Sequence, residues 1–191
     1  MTQAPPRLKR RRRPGARLYI DRMTNARLFI ALFPDSAVRE ELAAWRDAWT
    51  WPRAATPVKI VRLHVTLHFL GDVAQEHIAQ LADAIGVPFT PFTLRLTRAV
   101  LWPHGLAVLE PAAIPDPLLT LHTSLAGAVR DLALPVDERP FRPHVTLARR
   151  ANSATPPGSE REVTWLVSRF ALMASTLGTD GAYTLLREYR A

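Results

Sequence analysis

The chain has 191 residues, of which 48% are hydrophobic and none is cysteine. This length suits one domain or two small lobes, and the lack of cysteine excludes a disulfide framework, a thiolate zinc site and a cysteine nucleophile. The chain contains 25 Lys and Arg residues against 17 Asp and Glu residues, which gives a net charge of +8.

Most of this charge lies at the start of the chain. Residues 1–22 contain eight Lys or Arg residues and one acidic residue, Asp21, so their net charge is +7 and only +1 remains for the rest. Runs of like charge are usually disordered. We therefore predict a disordered, arginine-rich tail over 1–22, which would allow non-specific contact with RNA, and a single domain over 23–191.

Membrane association is not indicated by the hydropathy pattern. No apolar run approaches the ~18 residues that a membrane-spanning helix needs. The basic start is not followed by the apolar stretch of a signal peptide. We therefore expect a cytoplasmic protein with no membrane partner.

The first half of the chain predicts strands and helices in alternation. The strands are short aromatic or β-branched runs, and the helices have apolar residues at helical spacing. In chain order, the predicted elements are a strand at 27–33, a helix at 36–49, a proline-containing loop at 50–57, a strand at 59–70 and a helix that ends at Gly86.

The second half is richer in strands, with one further helix that begins at Asp116-Pro117. Its other predicted elements are strands at 92–102 and 105–110, a loop at 135–143, a strand at 145–149, a loop at 151–158, and closing strands at 162–176 and 182–189. Local hairpins thus occur beside helical crossovers. This order predicts an α+β fold rather than a uniformly parallel α/β sheet.

The tetrapeptide His-Val-Thr-Leu occurs twice, and the copy that begins at His144 follows the copy at His64 by 80 residues. Both copies lie in predicted strands. Side chains at i and i+2 of a strand share one face, so each His projects together with the Thr of its own copy, Thr66 or Thr146. If a pseudo-two-fold axis relates the two strands, the two His-Thr pairs face each other across a groove.

This arrangement suits displacement at a phosphate diester. Such a reaction needs a base beside the incoming oxygen and an acid beside the leaving oxygen. Histidine can perform either task because its ordinary pKa is about 6.5. Threonine hydroxyls can donate to the non-bridging oxygens of the phosphate. We therefore predict His64 and His144 as catalytic residues, and Thr66 and Thr146 as phosphate-binding residues.

A zinc site is the alternative that the histidines leave open. His64 and His68 are spaced i, i+4, which places two ligands together on a helix. The β-rich surroundings predict a strand instead, and there the same spacing spans about 13 Å. We expect no metal, and by the alternation of the strand we expect His68 to line the groove. For Trp102, a place in the core is favoured over the groove.

Two longer segments resemble a known family. Residues 62–71, RLHVTLHFLG, and 141–149, FRPHVTLAR, resemble the two signature motifs of the 2H phosphoesterases, and within them the RNA 2′,3′-cyclic phosphodiesterases, formerly called 2′-5′ RNA ligases. The resemblance spans about residues 26–188. It implies a bilobal fold in which two pseudo-symmetric β-rich lobes with outer helices surround a central cleft.

The resemblance also implies an activity. The family hydrolyses RNA 2′,3′-cyclic phosphate ends to 2′-phosphomonoesters without a metal or another cofactor. His64 would be the proton donor and His144 the proton acceptor, although the two roles could be exchanged with no change visible in the sequence. We expect a monomer whose substrates are RNA ends or cyclic nucleotides.

Phe69 and Arg149 stand five residues after the two histidines. An aromatic ring and a guanidinium plane are both suitable surfaces for a nucleobase, so we predict that these residues bind the base. Arg149 could instead approach the phosphate as a charged donor. The odd offset places both residues on the opposite strand face unless the chain twists near Gly71 and after Arg149.

Two other functions remain open at this point. The same chemistry could act on 2′-5′ linkages or on small cyclic nucleotides, because the reacting phosphate looks alike in these substrates. Alternatively, the groove could be a non-catalytic module that binds RNA ends with help from the tail, and such binding would be sensitive to salt.

Overall fold

The computed structural model describes residues 25–158, 161–176 and 182–191, so the tail predicted over 1–22 lies outside the described residues. Within them, nine strands and three α-helices form. The strands are β1 (Asn25–Leu32), β2 (Thr56–Pro57), β3 (Val65–Ala74), β4 (Phe92–Trp102), β5 (Leu106–Pro111), β6 (Val145–Arg149), β7 (Val163–Val167), β8 (Arg169–Ser175) and β9 (Tyr183–Arg190). The helices are α1 (Ser36–Asp47), α2 (Ile78–Ala84) and α3 (Asp116–Asp131).

The strands form one antiparallel sheet in the order β7-β4-β5-β6-β3-β1-β8-β9, and the short β2 pairs with β6. The two motif strands, β3 and β6, lie side by side at the centre, with three strands beyond each of them. Each half of the sheet is one lobe. The predicted α+β, bilobal architecture is therefore confirmed, with the two lobes joined as halves of one continuous sheet.

The helices pack through apolar faces that the sequence pattern predicts. Val38, Leu42 and Trp45 of α1 are buried, and the Asp35 carboxylate accepts a hydrogen bond from the Val38 amide at 2.9 Å, which caps the helix. In α3 the buried residues are Leu118, Leu121, Leu125, Ala126 and Val129. No helix in the described part of the chain is long and apolar enough to cross a membrane.

Both motif strands carry a β-bulge at the same place in the motif. In β3, Thr66 pairs with Ala31 and His68 pairs with Ile30, so Leu67 is an extra residue. In β6, Thr146 pairs with Val108 and Ala148 pairs with Ala107, so Leu147 is the extra residue. A bulge shifts the alternation of the side chains that follow it directly by one position.

Two predicted strands differ from the observed ones. The strand predicted at 59–70 begins only at Val65, because Ile60–Arg62 form a 3₁₀ turn, and it continues to Ala74. The strand predicted at 162–176 is two strands divided at Ser168. They separate because β7 pairs with β4 in one lobe, whereas β8 pairs with β1 in the other.

Candidate active site

His64 stands immediately before β3 and is held by the main chain of its own loop. Its Nδ1 lies 2.6 Å from the carbonyl oxygen of Arg62. A carbonyl can only accept, so Nδ1 carries the hydrogen and the Nε2 of the neutral ring is an acceptor. Nε2 lies 3.1 Å from the Thr66 hydroxyl, which donates to it. The His and Thr of this copy therefore share one face, as the sequence predicts.

His144 is held in the same way in the other lobe. Its Nδ1 lies 2.7 Å from the carbonyl oxygen of Arg142, the residue two positions earlier. The ring therefore has the same tautomer as His64. Its Nε2 is the nitrogen that can accept a proton from a ligand or donate a proton to it. Val65 and Val145, which follow the two histidines, are fully buried behind them.

One cavity of about 420 Å³ brings together all six site residues that the sequence predicts. His64, Thr66 and Phe69 line it from one lobe, and the equivalent residues of the second motif line it from the other: His144, Thr146 and Arg149. The two imidazoles are close enough that positive charge on His144 contributes to lowering the pKa of His64.

The paired bulges explain why Phe69 and Arg149 reach this cavity. Thr66 and Phe69 pair with Ala31 and Phe29, which are alternate residues of β1 and therefore share a face. The extra residue in the bulge cancels the odd offset from His64. Phe69, which is 46% exposed, therefore reaches the cavity through the bulge rather than through a twist near Gly71. In β6, the extra Leu147 has the same effect on Arg149.

The same bulge places His68 away from His64, so the prediction from simple alternation is wrong. His68 pairs with Ile30, whose side chain is in the core, and is only 3% exposed. Its ring stacks on His122 at 4.1 Å, and its Nε2 donates to the His122 carbonyl at 2.9 Å. Among the described residues, no group of three or more His, Asp or Glu side chains is placed to hold a metal ion.

Aromatic rings surround His64, and sequence reasoning missed them. The ring centroids of Phe29, Phe33 and Tyr183 lie 5.3, 5.3 and 5.5 Å from that of the imidazole. Burial, only partly opposed by the hydrogen bond to Arg62, lowers the pKa of His64 to about 4. The sequence feature that could have identified them is the alternation of Phe29, Ala31 and Phe33 along β1 and the residue after it, since β1 pairs with the motif strand β3.

The environment of His144 contains a buried carboxylate that the sequence analysis also missed. The indole of Trp102 packs on the imidazole at 4.4 Å, so this residue lies at the site rather than in the core. Burial lowers the pKa of His144, whereas the hydrogen bond to the Arg142 carbonyl and the charge of Glu110 raise it. The sequence feature that could have identified Glu110 is its place as the single acidic residue in the apolar strand LAVLEP.

The lining of the cavity favours an anion. Lys59, Arg62 and Arg149 contribute to it, and within the described residues no Asp or Glu does. Cationic side chains beside two histidines and the hydroxyl groups of Thr66 and Thr146 can bind and polarise a phosphate. The arrangement can therefore supply a base, an acid and hydrogen-bond donors around one phosphorus atom.

Comparison with known proteins gives consistent matches. A family model described as the 2′-5′ RNA ligase superfamily matches residues 33–179. The chain is 34% identical to the RNA 2′,3′-cyclic phosphodiesterase of Escherichia coli, over 85% of this chain and 95% of that protein. It is 32% identical to the protein of the same name from Thermus thermophilus, over 85% and 89% of the two chains. The crystal structure of E. coli LigT complexed with 3′-AMP is similar, with a TM-score of 0.77 and 31% identity over 87% of this chain and 98% of that one.

Proposed function

This chain belongs to the 2′-5′ RNA ligase superfamily, and from that premise we propose that it is an RNA 2′,3′-cyclic phosphodiesterase. It would open the cyclic phosphate at an RNA end to a 2′-phosphomonoester by acid–base catalysis with two histidines. The observation that supports this most directly is the meeting of His64 and His144 in one cation-lined cavity. The names of the relatives in E. coli and T. thermophilus support the substrate class.

The reaction proceeds by attack of water on phosphorus. The Nε2 atom of His144 accepts a proton from the water as its oxygen bonds to phosphorus, and the bond from phosphorus to the 3′ oxygen breaks. The Nε2 atom of His64 donates a proton to that oxygen, which leaves a 3′ hydroxyl and a 2′ phosphate. The hydroxyls of Thr66 and Thr146 donate to the non-bridging oxygens, where charge accumulates.

This scheme requires His64 to be protonated when the substrate is bound. With a pKa of about 4, His64 is neutral in the free protein at pH 7. A bound phosphate brings a negative charge beside the ring and raises the pKa of His64, because opposite charges favour the protonated form. The apolar rings around His64 also make its imidazolium a strong acid, which suits a donor to a departing alkoxide.

Recognition of the terminal nucleoside involves Phe69 and Arg149. The exposed Phe69 ring and the Arg149 guanidinium line the cavity that contains the reacting groups. Both present planar surfaces on which a base can stack. The complex of E. coli LigT with 3′-AMP supports a nucleotide as the ligand class. One chain supplies both motifs, so we propose that the protein works as a monomer, in the cytoplasm.

The decisive experiment is turnover of 2′,3′-cyclic nucleotides in excess chelator by the wild type, His64→Ala and His144→Ala. We expect activity that resists the chelator and a loss of at least about 10²-fold in each variant. His77→Ala is the matched control, because this side chain is 58% exposed and lies outside the cavity. Full activity in either active-site variant would refute the mechanism.

A non-catalytic role in binding RNA ends is the second candidate, and the charge of the tail favours it. It predicts tight, salt-sensitive binding of RNA that is lost when residues 1–22 are deleted. The hydrolase predicts instead that the deletion leaves hydrolysis of a small cyclic nucleotide nearly intact. A 2′-5′-linked dinucleotide in the same assay tests the related activity.

A further inference from the structure

His64 and His144 are held by equivalent contacts, and the two sets of contacts differ in one charged group, the carboxylate of Glu110. In each lobe, the Arg two positions before the His accepts the Nδ1 hydrogen through its carbonyl and places its guanidinium over a ring that packs on the imidazole. The distances are 4.7 Å from Arg62 to the Tyr183 ring and 4.2 Å from Arg142 to the Trp102 ring. Arg142 also pairs with Glu110. Among the described residues, the Arg62 guanidinium has no carboxylate partner.

Glu110 lies on β5 and is 4% exposed. Its Oε1 accepts hydrogen bonds from Trp102 Nε1 at 2.9 Å and from Arg142 Nη2 at 2.8 Å, and its Oε2 accepts from Arg98 Nη2 at 2.7 Å. Burial acts to raise the pKa of this carboxyl, but the bonds from Arg98, Arg142 and Trp102 outweigh it, and the pKa is lowered. Glu110 is therefore ionised at neutral pH.

We propose that Glu110 is a positioning residue for His144: it fixes the Trp102 ring and the Arg142 loop against the imidazole, and its charge stabilises the imidazolium that forms. The inference rests on the proposed function, in which His144 takes a proton from water. A buried carboxylate that orients a histidine and supports its charged form has the same effect in other hydrolases. Here Glu110 acts through two intermediate side chains rather than by a direct bond.

The charges that face His144 account for the expected effect. Arg142 from its own loop and Arg149 from β6 disfavour the imidazolium, His64 faces it across the cleft, and Glu110 from β5 favours it. Removing the charge of Glu110 would leave the guanidiniums of Arg98 and Arg142 without compensation. The proton affinity of His144 would then fall, while that of His64, on the far side of the cleft, would stay nearly constant.

The test is Glu110→Gln, which keeps the size of the side chain and one acceptor oxygen. We expect the ring signal of His144 in a proton NMR titration to move by about 0.5 pH unit or more toward acid, with the signal of His64 nearly unmoved. We expect kcat for a cyclic nucleotide to fall about 10-fold or more at pH 7, with little change in KM. Glu188→Gln is the matched control, since Glu188 also pairs with two arginines, Arg169 and Arg190, but lies outside the cavity.

A second variant tests the proposal if Glu110→Gln does not fold. Arg98→Gln removes an exposed guanidinium from Glu110 and should move the titration of His144 in the opposite direction, toward higher pH. An unchanged titration of His144 in a folded variant of either kind, or equal shifts of both histidines, would overturn the proposal. The titration needs no turnover, so it still tests the role of Glu110 if the wild type fails to hydrolyse any cyclic nucleotide and the proposed function is wrong.

Discussion

Val65 and Val145, the second residues of the two motif copies, pair with each other across the antiparallel strands β3 and β6. When a residue pairs with its own repeat equivalent in an antiparallel ladder, a local two-fold axis passes between the two. Residues at equal offsets from the pair therefore lie at equivalent positions about that axis. This relationship is why two histidines separated by 80 residues in the chain line one cavity.

The rate should depend on pH in a way that reflects the lowered pKa values of the two partly buried histidines. Catalysis that needs one neutral and one protonated imidazole gives a bell-shaped kcat/KM with its maximum between the two pKa values of the free enzyme. Burial lowers the pKa of His64 to about 4 and lowers that of His144 below its ordinary value of 6.5. We therefore expect the maximum of kcat/KM between pH 4 and 6.5, with loss of activity as rising pH deprotonates the second ring. A profile that peaks above pH 7 would contradict this prediction.

The threonine hydroxyls should act mainly in the transition state. Thr66→Val and Thr146→Val keep the shape of the side chain but remove a donor to the phosphate oxygens. We expect kcat to fall about 10²-fold in each, since one such donor contributes about that much in other enzymes. The control is Thr93→Val, an exposed threonine on β4. A rise in KM with kcat unchanged would show that the hydroxyls bind the substrate and the transition state equally, and would contradict this prediction.

Stacking by Phe69 and Arg149 should appear only with substrates that carry a base. We expect Phe69→Ala and Arg149→Met to reduce kcat/KM for adenosine 2′,3′-cyclic phosphate about 5- to 150-fold, because stacking contributes about 1–3 kcal/mol per base. Ribose 2′,3′-cyclic phosphate, which has no base, should be hydrolysed by both variants as by the wild type. Leu166→Ala, at a residue that is 65% exposed on β7, is the control.

If Arg149→Met instead slows hydrolysis of the substrate without a base, Arg149 acts on the phosphate. The outcome for Phe69→Ala distinguishes stacking of the base on the ring from a structural role of the ring in the cleft. Equal losses with both substrates would show that the aromatic ring supports the cleft rather than the base.

Substitution of alanine for each of two glycines should change the stability of the fold in opposite directions. Gly105 has a φ of +70°, and a Cβ there would lie 2.7 Å from the amide nitrogen of Ala151. We expect Gly105→Ala to lower the free energy of unfolding by about 1–3 kcal/mol. Gly127 lies within α3 and has open space around it, so Gly127→Ala should raise the free energy by about 0.5–1 kcal/mol. Urea unfolding measures both, and similar effects from the two substitutions would contradict this account.

Elements that depend on neighbours along the chain were predictable from sequence. Apolar spacing located α1 and α3. Alternation within the repeated tetrapeptide correctly placed Val65 and Val145 in the core, Thr66 beside His64, and Thr146 in the same cavity as His144. The repeat itself indicated a pair of equivalent catalytic groups. These signals are local, because a side chain's face is set by the dihedral angles of the residues next to it.

Elements that depend on a partner strand were decided only by the tertiary structure. Period-two alternation cannot reveal the bulges at Leu67 and Leu147, since a bulge exists only relative to the strand beside it, and these bulges turn Phe69 and Arg149 into the cleft. The division at Ser168 likewise follows from pairing with opposite lobes. The sequence by itself determined the repeated histidines and threonines, whereas the choice of strand partners decided what surrounds them, because long-range pairing leaves no periodicity in the chain.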